Sequence, residues 1–419
     1  MAVAVTVFLI ALALIASERL HRTKVALLGA ALVVLFVGDY SQEKAIESVD
    51  FNTIGLLAGM MILVYLTQQT GVYDYIAIRA GQLSKGRPLW VVISLAGTTA
   101  VLSAFLDNLT TILLVVPITF LLADALDVDP IPLIVIEVIS SNIGGTATLI
   151  GDPPNIIIAG ATGLSFNEFI VNLTPIVIPT FVVVISALYL FYRPRLQIEE
   201  ENRRFVMELD AAGSISDAAE LRRTGPVLVA TIIAFFAHQA LGIEPATVAL
   251  TGAAVALLVT KIDLHQALSG IEWPTLFFFV ALFVMVGALE ETGAIDEVAT
   301  AVEDLTGGER AAELLGITWI AALGSAVVDN IPFTTAMIPV VEELGGEEDD
   351  SYWWALSLGA CFGGNATIIA AAANVAAAGL TDRAGRPIGF FAFLRVGVPV
   401  TVISIAMASL YVAIRYILI

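Results

Sequence analysis

Charged residues are scarce in this chain of 419 residues, because Asp, Glu, Lys and Arg together make up only 14% of it. A soluble domain carries about 25% charged residues. The mean hydropathy is +0.92, so the composition excludes an ordinary soluble protein. Apolar runs recur along nearly the whole length, and several approach the ~20 residues that cross a bilayer as a helix. The sequence therefore predicts an all-α polytopic membrane protein with almost no soluble domain.

Cysteine and histidine are almost missing, with one Cys and three His in the chain. The single Cys361 excludes an internal disulfide and a cysteine-built metal site. The histidines, His21, His238 and His265, lie far apart and show no metal-ligand spacing. We therefore expect no enzyme and no cofactor, only a coupling ion, Na⁺ or H⁺.

Basic residues are outnumbered, with 19 Lys and Arg against 39 Asp and Glu and a formal net charge of −20. Such a balance argues against nucleic acid or acidic lipid as a partner. Several of the acids cluster in one loop run at 342–350. An acidic solvent face suits a high-salt environment, so a halophilic source is a hypothesis that loss of the fold at low salt would support.

One unusual motif occurs twice. Residues 103–117 read SAFLDNLTTILLVVP and residues 325–339 read SAVVDNIPFTTAMIP. Both copies place an ionisable Asp beside an Asn, at Asp107-Asn108 and Asp329-Asn330, in the middle of apolar sequence. A carboxylate in hydrocarbon costs several kcal/mol, so it persists mainly where it faces protein or water and serves a function. Two such sites in duplicated halves predict a transporter that holds its substrate between its repeats.

The repeat extends over both halves, which we place at 1–192 and 226–419 with the polar stretch 193–225 as linker. Each half is predicted to contain three spanning helices, an amphipathic stretch and the Asp-Asn segment. A helix broken by Gly and Pro and a last spanning helix follow. The predicted segments of the first half are 2–17, 24–38, 52–69, 72–84, 89–124, 131–163 and 168–192. Those of the second half are 226–241, 246–260, 273–290, 294–306, 311–343, 352–380 and 389–416.

The Asp-Asn segment has two interpretations, one long helix or a re-entrant hairpin. We favour the hairpin, because the Pro shortly after each tip, Pro117 and Pro339, weakens a continuous helix. Irregular backbone at membrane depth is tolerated where it is buried in protein or lines a wet cavity. Each half then has five crossings, one of them broken, and one hairpin, so the halves have inverted topology.

The basic residues predict the orientation. Placing the linker 193–225 on the cytoplasmic side leaves only Lys44, Arg310 and Arg415 of the 19 basic residues outside. The positive-inside rule therefore predicts a multi-pass protein of the cell membrane with a cytoplasmic linker and both termini outside.

The broken helices supply the other polar groups. The first reads SNIGGTATLIGDPPN over 141–155, and Pro153-Pro154 disfavours helix at Asp152. The second reads GGNATIIAAAAN over 363–374 and lacks the Asp-Pro-Pro. An unwound segment of this kind offers carbonyls, hydroxyls, amides and a carboxylate, which suit a hard cation such as Na⁺.

Each feature also has a plainer structural explanation. Gly-Gly in a membrane helix often serves close packing. Paired threonines such as Thr110-Thr111 and Thr334-Thr335 often bond back to their own helix, and Asp152 could lie at the interface. Glu137 is either a buried residue that pairs with a neighbour or a residue at the mouth of the site. The joint recurrence of Asp-Asn, Gly-Gly and Asn in both halves favours a functional set.

The charges also bear on the substrate. No Lys or Arg lies in the core of a predicted intramembrane segment, so we expect Asp107, Asp152 and Asp329 to have no nearby cation. A di- or trianion would meet repulsion there. Carboxylates without basic partners suit Na⁺ or H⁺ in competition for one site, which is a simple physical basis for exchange. A neutral solute such as arsenous acid would also be tolerated.

These motifs, SAFLDNLTT with SNIGGTATLIGDPPN and DNIPFTTAMIP with WWALSLGACFGGNATI, resemble the ion transporter superfamily. Within it they are most similar to the branch of the P protein, the NhaD sodium/proton antiporters and the ArsB arsenite permeases, with a divalent anion/sodium symporter-like fold. The resemblance implies an inverted-repeat fold with two re-entrant hairpins and two broken helices, often as a homodimer. The related dicarboxylate symporters tend to carry neutral Ser-Asn-Thr tips, whereas the tips here carry Asp.

The function expected is secondary active transport of a small inorganic ion or small anion across the lipid bilayer, best matched by Na⁺/H⁺ antiport. The alternatives are arsenite or oxyanion efflux and sodium-coupled di- or tricarboxylate symport. The candidate substrate- and ion-binding residues are Asp107, Asn108, Thr110, Thr111, Asn142, Gly144, Gly145, Thr146, Thr148, Asp152, Asn155, Asp329, Asn330, Thr334, Gly363, Gly364, Asn365, Thr367 and Asn374. The candidate Na⁺ ligands among them are Asp107, Asn108, Asp152, Asp329 and Asn330.

Overall fold

The structure is a computed structural model that describes residues 1–17 and 19–418, and these residues form helices and turns with no strand. The helices of the first half are α1 (Ala2–Ala16), α2 (Arg22–Phe36), α3 (Gln42–Glu47), α4 (Phe51–Gln68), α5 (Val72–Leu83), α6 (Pro88–Phe105), α7 (Asn108–Leu126), α8 (Pro130–Gly145), α9 (Pro153–Thr162) and α10 (Phe166–Tyr192).

The segment between the halves holds α11 (Asn202–Glu208) and a 3₁₀ turn, Ala212–Ser214. The helices of the second half are α12 (Ala218–Leu241), α13 (Pro245–Val259), α14 (Leu264–Ser269), α15 (Trp273–Glu291), α16 (Ala294–Thr306), α17 (Arg310–Val328), α18 (Asn330–Val341), α19 (Ser351–Gly363), α20 (Ala372–Arg383) and α21 (Phe390–Val412). The same order of elements therefore occurs twice.

The predicted elements are all present, with four differences, one of which is helix α11 in the predicted linker. Helix α12 begins at Ala218, so the end of the linker is helical where the sequence predicts a loop. Two short helices, α3 and α14, were not predicted, because six residues of mixed polarity carry too little periodicity to distinguish a helix from a turn. Both follow a Ser or Asp whose side chain accepts from the first turn, at Ser41 and Asp263.

Eight helices among the described residues are long and apolar enough to cross a membrane. Three helices predicted to span, α1, α2 and α13, have 15 residues each. At 1.5 Å per residue such a helix is about 22 Å long, shorter than the ~30 Å hydrocarbon core. The start of α2 can therefore lie below the membrane surface.

The Asp-Asn segments fold back at their tips, so the interpretation as one long helix is wrong. Helix α6 ends before the extended Leu106, and α7 starts at Asn108. Both outer ends of this hairpin meet the linker: Gly86 lies against Arg203, and the neighbouring Asn202 donates to the Leu126 carbonyl. In the second hairpin the break falls at Asp329, between α17 and α18.

The two halves pack crosswise. Helix α2 packs against α15, and its counterpart α13 packs against α4. Each hairpin's first arm lies on the broken helix of its own half, α6 on α8 and α17 on α19. The second pieces of the broken helices cross over, α9 to α18 and α20 to α7. This exchange brings both hairpin tips and both helix breaks to one place.

Candidate ion-binding site at the hairpin tips

The first broken helix unwinds where the sequence predicts. Helix α8 runs through Gly145 and α9 begins at Pro153, which leaves residues 146–152 outside both helices. Asp152 has extended backbone, with φ −139° and ψ 134°, because the following proline ring disfavours the helical region. Its carboxylate is thereby presented at a chain break rather than on a helix face.

The second broken helix unwinds in the same way without a proline. Helix α19 ends at Gly363 and α20 begins at Ala372, and a single 3₁₀ turn, Ile368–Ala370, lies between them. The residues on either side of that turn, Thr367 and Ala371, are extended. Four successive alanines supply no side-chain ligand here, so the polar side chains of this break are those of Asn365, Thr367 and Asn374.

The first glycine of each Gly-Gly pair serves close packing. A Cβ on Gly144 would lie 2.3–2.7 Å from backbone atoms of Ala100 on α6. A Cβ on Gly363 would lie 2.6–2.8 Å from backbone atoms of Ala322 on α17. The packing explanation of these glycines is confirmed, and the contact fixes each broken helix to its hairpin.

Two asparagines hold the unwound segments closed. Asn155 Nδ2 donates to the carbonyls of Thr146 and Thr148, at 3.1 and 2.8 Å. Asn374 Nδ2 donates in the same way to the carbonyls of Gly364 and Thr367, both at 2.7 Å. Asn155 and Asn374 therefore hold the loops in shape.

The threonines mostly bond to backbone carbonyls. Thr148 and Thr367 donate to the carbonyls of Ala104 and Ala326, which ties each break to its hairpin. Thr146 and Thr334 bond back to Asn142 and Asn330, so the local explanation is confirmed for Thr334. The hydroxyl of Thr111 is buried and has no partner within the described part of the chain.

Each tip aspartate caps the helix that follows it. Asp107 Oδ1 accepts from the Thr110 amide at 2.7 Å, and Oδ2 accepts from the Thr110 hydroxyl. Asp329 Oδ1 accepts from the Ile331 amide at 3.0 Å. A carboxylate at an N-cap satisfies amides that a helix start leaves open. Each tip aspartate is therefore bonded to the start of the helix that follows it.

The neighbouring asparagines meet instead. Asn108 Nδ2 and Asn330 Nδ2 both donate to Oδ1 of Asp152, at 3.0 and 3.1 Å. Asp152 is fully buried, so the interfacial explanation is wrong. Its second oxygen, Oδ2, is buried and without a hydrogen-bond partner among the residues described. One carboxylate thus joins both hairpin tips and keeps a free oxygen.

A second junction lies beside the first. Asn142 Nδ2 donates to Oδ1 of Asn365 at 3.1 Å and to Oδ1 of Asn374 at 3.0 Å. Asn142 Oδ1 accepts from Asn108 at 3.3 Å. The amide nitrogen of Asn365 is buried and unpartnered within the described ranges. These side chains form one continuous amide–carboxylate network across both halves.

The expectation that no cation lies near the tip aspartates is wrong for Asp329. Arg22 Nη1 donates to Asp329 Oδ2 at 3.0 Å. The positive-inside count places Arg22 in a surface loop, but it is the first residue of the short helix α2 and lies within reach of the tip. In the described structure, Asp107 forms no ion pair.

Two further residues complete the site. Ser357 Oγ donates to Oδ1 of Asn155 at 2.6 Å, and the Cys361 thiol approaches the same oxygen at 3.6 Å. Both lie on α19, one helical turn apart, within the WWALSLGACFGGNATI motif. A buried polar face in an otherwise apolar helix is the signal that indicates them.

The spaces beside the two tip aspartates differ in size. A cavity of about 400 Å³ reaches Asp329 and Arg22, and its walls include Leu109, Ile369 and Ala372. On the other tip, the space next to Asp107 is only about 20 Å³ and otherwise apolar. The described residues hold no group of three His, Cys, Asp or Glu side chains that would bind a transition metal. The oxygens and amides present suit Na⁺ or a proton.

Comparison with known proteins places the chain among transporters. A family model described as "CitMHS: Citrate transporter" matches residues 12–359. An uncharacterised transporter of Mycobacterium tuberculosis is 45% identical over 99% of this chain and 98% of its own length. The P protein of Homo sapiens is 34% identical over 97% of this chain, which spans 59% of that longer protein.

One solved structure has a similar fold. The YdaH transporter of Alcanivorax borkumensis, described as having an unusual topology, matches with a TM-score of 0.57. The match covers 88% of this chain and 86% of that one at 16% sequence identity. At this identity the likeness concerns the fold alone.

Proposed function

The chain belongs to the CitMHS citrate transporter family, a family of transporters and not of enzymes, and from that premise we propose that it exchanges Na⁺ for H⁺ across the membrane. The ion lies between the hairpin tips and the broken helices, at Asp152. Asn108, Asn142, Asn330 and Asn365 arrange the polar groups around it.

The observation that carries this proposal is the state of Asp152. The side chain is fully buried, Oδ1 accepts one amide from each hairpin, and Oδ2 is free. A buried carboxylate is costly unless a cation or a proton neutralises it. Na⁺ and H⁺ can each do so but not together, and this mutual exclusion couples their movement.

The tip aspartates contribute charge beside this centre. Asp107 and Asp329 each use a carboxylate oxygen as a helix cap, so we assign them to the electrostatic attraction of the cation and to holding the tip in shape. Thr111, whose buried hydroxyl has no partner among the residues that the structure describes, is a candidate for a further oxygen ligand on the first hairpin.

We propose an inverted arrangement of the halves 1–192 and 226–419 in the cell membrane, with the linker 193–225 cytoplasmic and both termini outside. The recurring order of helices and the crosswise packing support it. Thr23 Oγ1 donates to the Pro274 carbonyl at 2.8 Å, and both residues lie in the first turns of helices, α2 and α15, whose starts this orientation places toward the cytoplasmic side. A homodimer stays an expectation of the resemblance.

In this orientation the cavity at Arg22 and Asp329 opens toward the cytoplasm. The apolar packing at Asp107 closes the opposite approach. Such one-sided access suits one state of an alternating-access cycle, in which a repeat or bundle rocks around a fixed midplane site.

A second candidate, sodium-coupled uptake of a di- or tricarboxylate, is favoured by two observations. The family description names citrate, and a guanidinium stands on the cavity wall at Arg22. Arginine is suited to bidentate recognition of carboxylates. Against it, that guanidinium is already paired with Asp329.

The test is a substrate panel on protein reconstituted in vesicles that report internal pH. Na⁺, Li⁺, K⁺, citrate, succinate and arsenite are added in turn to wild type and to Asp152→Asn. Exchange predicts proton movement driven by Na⁺ in the wild type and its loss in the variant. Uptake of a carboxylate without Na⁺-driven proton release would refute exchange and favour the second candidate.

A further inference from the structure

The pair Arg22–Asp329 is built at the end of the open cavity. The carboxylate is almost fully buried, whereas the guanidinium is 24% exposed and faces the cavity. The guanidinium carbon also lies 5.1 Å from the centroid of the Phe278 ring, which favours a cation through the negative face of the ring. Arg22 is therefore held at the tip from two sides.

The pair has no mirror image. The counterpart of α2 in the second half is α13, which begins at Pro245, so a proline stands at the helix start where the first half has Arg22. In the part of the chain that the structure describes, Asp107 takes both of its side-chain bonds from Thr110. The two tips are alike in sequence, but their aspartates have different partners, a threonine at Asp107 and an arginine at Asp329.

The backbone of Asp329 adds to this difference. Its φ is +126°, a region that L-residues with a side chain rarely adopt, whereas Asp107 has an ordinary φ of −85°. Such a conformation is unfavourable and persists only where the surroundings impose it. The ion pair with Arg22 and the bond from the Ile331 amide hold the carboxylate in this position.

We propose that Arg22 is a tethered counter-ion that neutralises Asp329 while no cation is bound at the neighbouring Asp152. This inference rests on the proposed exchange of cations. Na⁺ bound at Asp152 is also attracted by the Asp329 carboxylate, so it competes with the guanidinium for that negative charge, and the guanidinium moves toward the cavity and the Phe278 ring. Arg22 thereby sets the apparent affinity for the cation and prevents an uncompensated negative charge at the second tip.

The experiment measures the Na⁺ concentration that gives half-maximal proton movement in reconstituted vesicles. Arg22→Gln removes the competitor, so we expect half-saturation at a concentration about tenfold lower, which corresponds to about 1.4 kcal/mol. Lys24→Gln removes an exposed charge two residues away on the same helix and is the matched control, expected to be unchanged.

Competition for the Asp329 carboxylate also predicts the effect of Arg22→Gln when that carboxylate is absent. In an Asp329→Asn background the guanidinium has no carboxylate to hold, so adding Arg22→Gln should change half-saturation by less than twofold. If Arg22→Gln merely disturbed packing, it would shift half-saturation by Na⁺ equally in the wild-type and the Asp329→Asn background. This result would overturn the inference. Arg22→Lys keeps the charge and the fold with a single-point donor, and we expect a shift in the same direction but smaller.

The outcomes separate the two proposals. If wild type exchanges Na⁺ for H⁺ and Arg22→Gln leaves half-saturation unchanged, the counter-ion role is wrong while exchange stands. If wild type shows no response to Na⁺ and instead takes up a carboxylate, exchange itself is wrong. In that case a rise in half-saturating carboxylate in Arg22→Gln would identify Arg22 as an anion ligand and overturn the counter-ion role as well.

Discussion

The side-chain amide of Asn330 donates to Oδ1 of Asp152 across 3.1 Å and so joins the second half's hairpin to the first half's broken helix. Asn108 makes the matching bond from the first hairpin at 3.0 Å. One carboxylate oxygen is therefore hydrogen-bonded to both hairpin tips. An ion that neutralises Asp152 also stabilises their meeting, which links occupancy of the site to the arrangement of the repeats.

Asp152→Asn should keep the fold and abolish exchange. The amide oxygen can still accept from Asn108 and Asn330, and the amide nitrogen replaces Oδ2, which has no partner in the described structure. Only the charge is lost, and with it the attraction for Na⁺. Proton movement in vesicles and monodispersity in detergent check this, with the exposed Asp304→Asn as control. Undiminished exchange in Asp152→Asn would refute the central role of this residue.

The charge of Asp107 can be separated from its capping function. Asn is as good an N-cap as Asp, so Asp107→Asn should preserve α7 and the Thr110 contact. Asp107→Ala loses the cap as well, at a cost of about 1 kcal/mol. We expect both variants to lose Na⁺-driven proton movement and only the alanine variant to lose thermal stability. If Asp107→Asn exchanges normally, the residue acts through capping alone.

Much of the fold could be predicted because the repeat supplies each element twice. A helix break that is ambiguous in one copy is resolved by the other, as with GGTATLIGDPPN and GGNATIIAAAAN. The hairpin was predicted from the Asp-Asn tips and the prolines beyond them. The start of α12 at Ala218 was not, because polar residues at a helix end look like loop in a hydropathy pattern.

The site was predicted as a set of residues but not as a geometry. Asp107 and Asp329 were expected to bind the ion, whereas they cap their own helices, and Asn108 and Asn330 make the contact with Asp152. Local capping competes with long-range contacts, and a single sequence does not show which wins. Arg22 and Asp329 are 307 residues apart, and no local pattern relates them.

The first glycines of the two breaks make a matched pair for a packing test. Gly144→Ala and Gly363→Ala place a methyl group within 2.3–2.8 Å of backbone atoms of Ala100 and Ala322, and backbone cannot move aside as a side chain can. Overpacking of this kind costs typically about 1–3 kcal/mol. Gly97 lies on α6, the hairpin arm that carries Ala100, and a Cβ there would meet nothing within 4 Å. Gly97→Ala should therefore be neutral or stabilising, since Ala favours helix. Thermal unfolding in detergent distinguishes them, and equal melting temperatures for all three would contradict the close approach.

Glu137 is a buried acid outside the site, on α8 five residues before Asn142. Its Oε1 accepts from the Thr119 hydroxyl at 2.6 Å. Within the described residues the carboxyl group bonds to no Lys, Arg or His, and Oε2 has no hydrogen-bond partner. A fully buried carboxylate without a counter-charge is too costly to persist, so we expect Glu137 to carry a proton.

Because a protonated carboxyl and an amide are close in shape and charge, Glu137→Gln should unfold within about 1 kcal/mol of wild type. Thr119→Val, in contrast, leaves Oε1 without its donor and should cost about 1–3 kcal/mol. Thermal unfolding of the purified variants measures both. A larger loss in Glu137→Gln than in Thr119→Val would mean that the side chain is ionised, and a cation partner would then have to be sought on the helices packed against α8.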